Sequence, residues 1–417
     1  MQSPALAYRD LENSPRAMHM RDWRTALRTS SSYRIGNRTV RFNYHFALLI
    51  VCVFALFLLF FYTRNSSRSS SDVAWQQQHL YGHTITSLSP FIAYNDTYPL
   101  TAPIVARSGL ISYRIGMIAD LDTKSRVVKG DNQVTWQSFL KKGYLTHTVS
   151  SNEMKIVWDT GAPVALESSF ALKDRGMELS ELVTFNGKLL SFDDRTGLVY
   201  EIEGDKVVPW IILLDGDGHK TKGFKSEWAT VKDQTLYVGS MGKEWTQSQG
   251  DFVNEDPMFV KSVKPSGEVK SLNWSANYKK LRRDAMEISW PGYMIHESGT
   301  WSDKHRRWFF LPRRCSKEKY NEVSDEHMGC NLLISADENF SNIKTVTLDK
   351  SNTAPTHGFS SFKFLPSTGD TIIIAIKSEE LNGKTSTFIT AFDTAGKTLL
   401  PEQRIETEYK YEGFEFI

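Results

Sequence analysis

The stretch RGMELSELVTFNGKLLSFDDRTGLVYEI, Arg175–Ile202, places carboxylates at the start of a strand-turn-strand pattern and again after its turn. The arrangement recurs down the chain. Segments beginning GMELSELVTF, FKSEWATVKDQ, MIHESGTWSD, HGFSSFKFLP and KYEGFEFI each open on an acid or a serine: Ser180 with Glu181, then Glu227, Glu297, Ser360 and Glu412. Brought together, three or four carboxylates would repel one another unless a cation lay among them. Glutamate, serine and main-chain carbonyl oxygens are hard donors, which suit Ca2+ better than Zn2+. Any one such glutamate is ordinary at a solvated strand start; the recurrence is what points to a shared calcium site. The run DGDGHKTKG from Asp215 imitates a calcium loop, but His219 and Lys220 stand where that loop needs an acid and a glycine, so it reads as a polar turn. His296 and His357 lack the spacing of a zinc pair and read as structural.

These positions are far apart in sequence, so the fold must gather equivalent strand starts. From Tyr94 onward, β-branched and alternating runs such as NEMKIVWD, QTLYVGSM, RRWFFLPRR and DTIIIAIKS are separated by the turn signals NGK, DRTG, EGDK and PSTGD. Helix candidates are few, chiefly WQSFLKKGYL and SANYKKLRRDAME. The pattern predicts an all-β chain of hairpins in five degenerate repeats of uneven length, hence a five-bladed β-propeller. Its innermost strands would converge on one axis and there form the central calcium site.

With 40% hydrophobic residues and a formal charge of +2, the chain can bury a large core and offers no nucleic-acid surface. The charge is uneven: residues 1–43 carry eight arginines against Asp10, Glu12 and Asp22. Next comes FALLIVCVFALFLLFFY, Phe46–Tyr62, about 25 Å long as a helix against a hydrocarbon core of roughly 30 Å. It reads as an uncleaved signal anchor, with the basic flank cytosolic. The expected organisation is a cytosolic basic tail over 1–43, a transmembrane helix over 44–62, a lumenal Ser-rich stalk over 63–93 and the propeller over 94–417. A short span suits the endoplasmic reticulum or Golgi membrane, in a single-pass type II arrangement, with release of a soluble secreted form left open. In a lumen, Asn95, Asn273 and Asn339 become glycan acceptors, as does Asn65 of the stalk, whereas Asn37 faces the cytosol. Cys315 and Cys330 are the only cysteines beyond the span, and an oxidising compartment allows them to pair.

The blocks IADLDTKSR, KKGYLT, GMELSELV, FDDRTGLVYEIEG, GDGHKTKGFKSEW, GKEWT, HESGTWSD, RRWFFLPRR, THGFSSFKFLP and YEGFEFI, in that order, resemble the calcium-activated nucleotidases of the apyrase family from about Tyr94 to Ile417. The resemblance implies a five-bladed propeller, a Ca2+ cofactor and hydrolysis of nucleoside di- and triphosphates. It places the metal ligands at Ser180, Glu181, Glu227, Glu297, Ser360 and Glu412, the strand starts found above. Asp is the expected residue at Glu181 in vertebrate relatives, and the paired cysteines are a second departure from them. Asp120 and Asp194 fall at positions that orient or deprotonate the attacking water. Arg313 joins them as a catalytic residue and, with Lys225, holds phosphate oxygens, Arg313 having the planar fork for bidentate contact. UDP and GDP are the preferred substrates by this resemblance, which ties the chain to glycosylation and proteoglycan synthesis. The other partner is the membrane, through one N-terminal helix, with a homodimer open.

Two other readings stand beside this one. A non-enzymatic, calcium-stabilised propeller would need the carboxylates but not Arg313 or Asp194. A propeller lactonase would need an apolar acyl pocket instead of phosphate-binding cations. Within the nucleotidases, an ATP- and ADP-hydrolysing ecto-apyrase is the alternative.

Overall fold

The structure, a computed structural model, describes residues 93–130, 132–349 and 354–417, together with 31–35, 38–42, 48–50, 52–53 and 55–56. The chain divides into two compact units, Met1–Phe91 and Ile92–Ile417. In the first, Ser31–Ile35 pairs antiparallel with Arg38–Phe42, and the described residues from 48 to 56 are helical. Most of the expected anchor, the stalk and the acceptor sites at Asn37 and Asn65 lie outside the described residues. Among the described residues no helix is long and apolar enough to cross a membrane.

The second unit is built from hairpins, as the alternating runs and turn residues require. Four antiparallel sheets have four strands each, and their first strands are Leu179–Phe185, Trp228–Lys232, Gly299–Ser302 and His357–Phe364. A seven-stranded sheet is headed by the C-terminal strand Lys410–Phe416, which pairs with Leu110–Asp120 from the unit's beginning. These five leading strands pack side by side in a closed circuit, each against the next, with His357–Phe364 returning to Lys410–Phe416. The result is a β-propeller-like arrangement. Leading strands touch both neighbouring sheets, and for that reason Leu179–Phe185 and Lys410–Phe416 are buried at every position. Between sheets the core is apolar and aromatic: Trp228, wholly buried, meets Phe310 of the next sheet edge-to-face with ring centroids 5.8 Å apart.

The circuit leaves little room at Gly413. A Cβ there would lie 2.6 Å from the Glu181 Cα, so the last strand approaches Leu179–Phe185 as closely as only glycine permits. Gly413→Ala is expected to destabilise the fold by about 1–3 kcal/mol, the range for forced overpacking. Urea unfolding of the variant checks this, and an unchanged midpoint would contradict the close approach.

One helix expectation is overturned. The residues of WQSFLKKGYL belong to the strand Val134–Thr148, in which Trp136, Ser138 and Leu140, then after a one-residue shift Gly143, Leu145 and His147, are buried and the residues between them less so. The spacing of Trp136, Phe139 and Leu140 imitates a helical stripe, but the burial has the two-residue period of a strand pairing on both edges. The other candidate is the helix Ser275–Met286, ended by Glu287 in the left-handed region at φ 58°. Cys315 and Cys330 are disulfide-bonded, 15 residues apart in sequence with Cα atoms 5.4 Å apart. Asn95, Asn273 and Asn339 are all exposed.

Candidate active site

Four of the six sequence-derived ligand positions fall on β-bulges of three leading strands. In Lys410–Phe416, Tyr411 pairs with Ala119 and Gly413 with Ile118, which leaves Glu412 as the extra residue. In His357–Phe364 the register skips Ser360, and in Leu179–Phe185 Ser180 and Glu181 together oppose Phe192. A bulge releases a residue from the ladder and re-aims its side chain. Glu227 and Glu297 instead lie just ahead of Trp228–Lys232 and Gly299–Ser302.

Asp120, Asp194, Lys225, Glu227, Glu297, Arg313 and Glu412 come together on the wall of one cavity of about 280 Å3. Its wall carries eight carboxylates against four basic groups. The basic groups are threaded between the acids. Arg313 donates to Glu297 Oε2 at 2.5 Å and to Ser378 Oγ at 2.7 Å, and lies 3.6 Å from both Glu412 and Glu380. Lys410 reaches Glu380 at 2.7 Å, Asp122 at 3.0 Å and Asp120 and Glu412 at 3.2 Å. Lys225 bridges Asp194 and Glu227, the latter at 2.8 Å. A larger groove of about 470 Å3 beside Trp290 lacks this convergence, since its Arg282 and Lys279 are already matched by Glu244 and Glu255.

Burial and crowding leave the acids unevenly charged. Burial, with Glu297 and Asp194 nearby, pushes the Glu227 carboxyl up to about 8 against the pull of Lys225. Burial likewise raises Glu412 well above the usual range. Glu380 goes the other way, to about 2, because Arg313 and Lys410 outweigh its burial. Two axial glutamates therefore lack sufficient positive charge. Asp194 Oδ1 on the cavity wall is buried and has no hydrogen-bond partner among the described residues, as is true of Ser360 Oγ on its leading strand. A surplus of carboxylates, two of them held away from ionisation, and an oxygen donor without a partner fit a hard divalent cation.

Not every expected ligand faces the cavity. Ser180, Glu181 and Ser360 lie off its wall. Ser180 Oγ donates to the Ser226 carbonyl, and Glu181 accepts from Ser361 Oγ at 2.8 Å and sits 3.2 Å from Lys363. The Glu181 carboxylate thus serves the packing between leading strands. Among the described residues the acidic trio with oxygens within 4.8 Å of one another is Asp120, Asp122 and Glu178, which sequence reasoning did not assemble. It also missed Lys410, Glu380, Lys243, Tyr320 and Asp325 on the cavity wall. The run EYKYEG held a signal for Lys410, since residues two apart on a strand share a face and Lys410 precedes Glu412 by two.

Fold and site together define a β-propeller-like protein whose axial cavity is suited to a cation and an anionic substrate. The family model described as Apyrase matches residues 121–417, and the chain belongs to the apyrase family. It is 55% identical to the soluble calcium-activated nucleotidase 1 of Rattus norvegicus over 324 residues, 78% of this chain and 78% of the rat protein. It is 44% identical to an apyrase of Cimex lectularius over 390 residues, 93% of this chain and 100% of the relative.

Proposed function

We propose that the chain is a five-bladed propeller that hydrolyses nucleoside di- and triphosphates to monophosphate and phosphate, with calcium in its axial cavity and UDP and GDP preferred. Family membership supports nucleotide hydrolysis. The observation that carries the site assignment is the buried, unpartnered Asp194 Oδ1 beside phosphate-binding cations. Both Asp120 oxygens are engaged, one by the Asp122 N–H at 2.8 Å and the other by Lys410. Asp194 has one oxygen held by Lys225 and one left to accept from water. Asp194 therefore orients or deprotonates the nucleophile, and Asp120 steadies Lys410. Water adds to the terminal phosphorus and passes a proton to Asp194, and the bond to the bridging oxygen breaks; phosphate is released and that oxygen leaves on the nucleotide, a monophosphate from a diphosphate, or from a triphosphate a diphosphate that is cleaved in a second round.

Glu227, Glu297 and Glu412 would hold the calcium, which when bound supplies positive charge against the non-bridging phosphate oxygens, while Ser180 and Ser360, off the cavity wall, are left out of the set. Arg313 and Lys225 complete that neutralisation. Lys243 is the fourth basic group of the cavity, and its ammonium is held by the Glu244 carbonyl at 2.9 Å and Thr246 Oγ1 at 3.1 Å rather than by a carboxylate. Burial lowers it to about 8, so near neutral pH it is a cation available to substrate phosphate. A purely structural calcium site has no use for Asp194, Arg313 and Lys243 arranged in this way.

The uncleaved anchor read over 44–62 would hold the enzyme in the endoplasmic reticulum or Golgi membrane, with the propeller lumenal and Asn95, Asn273 and Asn339 glycosylated. There it would clear nucleoside diphosphates left by glycosyltransferases. Phosphate release by the detergent-solubilised full chain, from UDP, GDP, ADP and ATP with calcium or chelator, tests the reading. UDP and GDP are expected to be cleaved fastest and only with calcium. Preference for ADP or ATP together with residence at the cell surface would make it an ecto-apyrase, and no release from any nucleotide would remove the activity altogether.

A further inference from the structure

The loop closed by the Cys315–Cys330 disulfide contributes two side chains, Tyr320 and Asp325, to the wall of the axial cavity. It also begins two residues after Arg313, and the Cys330 N–H donates to the Arg313 carbonyl at 3.3 Å. Inside the loop, the Tyr320 ring carries the Lys243 ammonium over its face, 4.4 Å from the centroid, where the ring quadrupole attracts the charge. Asp325 accepts a 2.5 Å hydrogen bond from Tyr293 and lies 3.9 Å from Arg314. We infer that the Cys315–Cys330 bond is a positioning element of the active site: it fixes the loop that seats Tyr320 against Lys243, and so helps to set the place of one of the cavity's phosphate-binding lysines.

At its base the loop pairs through Arg314–Ser316 with Tyr293–Ile295, and Tyr320 packs against Met241, Tyr293 and Ile295 with its ring 5.3 Å from that of Tyr293; the chain on either side of Tyr320 is held more weakly. Its one helix, Glu322–Asp325, has four residues, too few to be stable alone. Its contacts with the neighbouring hairpin are peripheral: Lys319 to Asp251 at 2.7 Å, with side chains 47% and 64% exposed, and Asn321 to Gln249 at 3.0 Å. Exposed pairs of this kind contribute little. A covalent closure at the loop's base, by contrast, removes most of the conformations that would let Tyr320 swing away from Lys243. The bond therefore acts on substrate binding through Tyr320 and Lys243 and takes no part in the bond-breaking step.

The inference rests on the axial cavity being the active site, and its test separates the two. In Cys315→Ala/Cys330→Ala full-length protein, KM for UDP is expected to rise about tenfold while kcat stays within about threefold. On a Tyr320→Ala background the cysteine change should add less than about twofold, because both act on one contact. A lowered Tm with unchanged KM, or a full tenfold effect on the Tyr320→Ala background, would make the bond a structural staple only and overturn the proposal. Where the double variant does not fold, wild-type protein reduced and thiol-capped under native conditions gives the same comparison; if that unfolds too, the bond serves stability and the proposal fails. A wild-type protein that binds UDP without releasing phosphate would remove the activity reading. Calorimetric UDP affinities of the same variants would then decide this one.

Discussion

Arg313→Met is expected to lower phosphate release about 10²–10³-fold, the usual cost of deleting a preorganised donor aimed at developing charge. The same substitution should uncover a second effect. Arg313 is buried, 6% exposed, and its guanidinium faces Glu297, Glu380 and Glu412. Removing one partner of a buried ionic cluster leaves charge uncompensated, typically at about 3–5 kcal/mol. That loss should appear in chelator, where nothing else neutralises the three acids, and should shrink when calcium is added. Activity should not return with calcium, because the fork that would grip the phosphate is gone. Thermal melts with and without calcium, paired with phosphate release, read both effects. Near-wild-type hydrolysis by the variant would take Arg313 out of the catalytic set.

The parts of this site that were legible in the sequence are those fixed by local pattern. Strand starts at Ser180, Glu227, Glu297, Ser360 and Glu412 were visible because alternation and turn residues mark where each hairpin begins, and these starts lead the strands that pack round the axis. Which of these residues face the cavity was not legible, since that depends on bulges, and a bulge is a property of pairing register between strands. Glu181 is the case in point. It looks like a ligand beside Ser180, yet the bulge sends its carboxylate to Ser361 and Lys363. Glu380 and Asp325 carried no local signal at all. One sits near the end of the strand Ile372–Leu381, which only the packing of sheets brings to Arg313, and the other in a short helix of the disulfide loop, which carries it to the cavity wall along with Tyr320. The misread helix at WQSFLKKGYL has the same origin, because three bulky residues at helical spacing outweighed a two-residue burial period that only the partner strands reveal.

Glu227→Gln should weaken calcium binding about 100-fold without destabilising the cation-free fold, an asymmetry that follows from the position of this residue. Glu227 is 4% exposed, contacts Lys225 at 2.8 Å and has its carboxyl pushed up to about 8 by burial and by the acids beside it. A folded-state value above the unfolded one means that the neutral form is favoured. The associated stability is fully present below the unfolded value and is lost as pH rises through about 8. Glutamine reproduces the neutral form and does not titrate, so in chelator the variant should match wild type at acid pH and melt above it at neutral pH, where wild type has already lost most of this stability. Calcium changes the comparison. It stabilises whatever binds it by mass action, so wild type should gain several degrees at saturating calcium and the variant much less. Phosphate release should fall in parallel and recover in part at high calcium, which distinguishes a weakened site from a damaged fold. Calorimetric titration gives the affinity directly. Wild-type calcium affinity in the glutamine variant would remove Glu227 from the cation site and leave its burial beside Lys225 as an ion pair supporting Asp194.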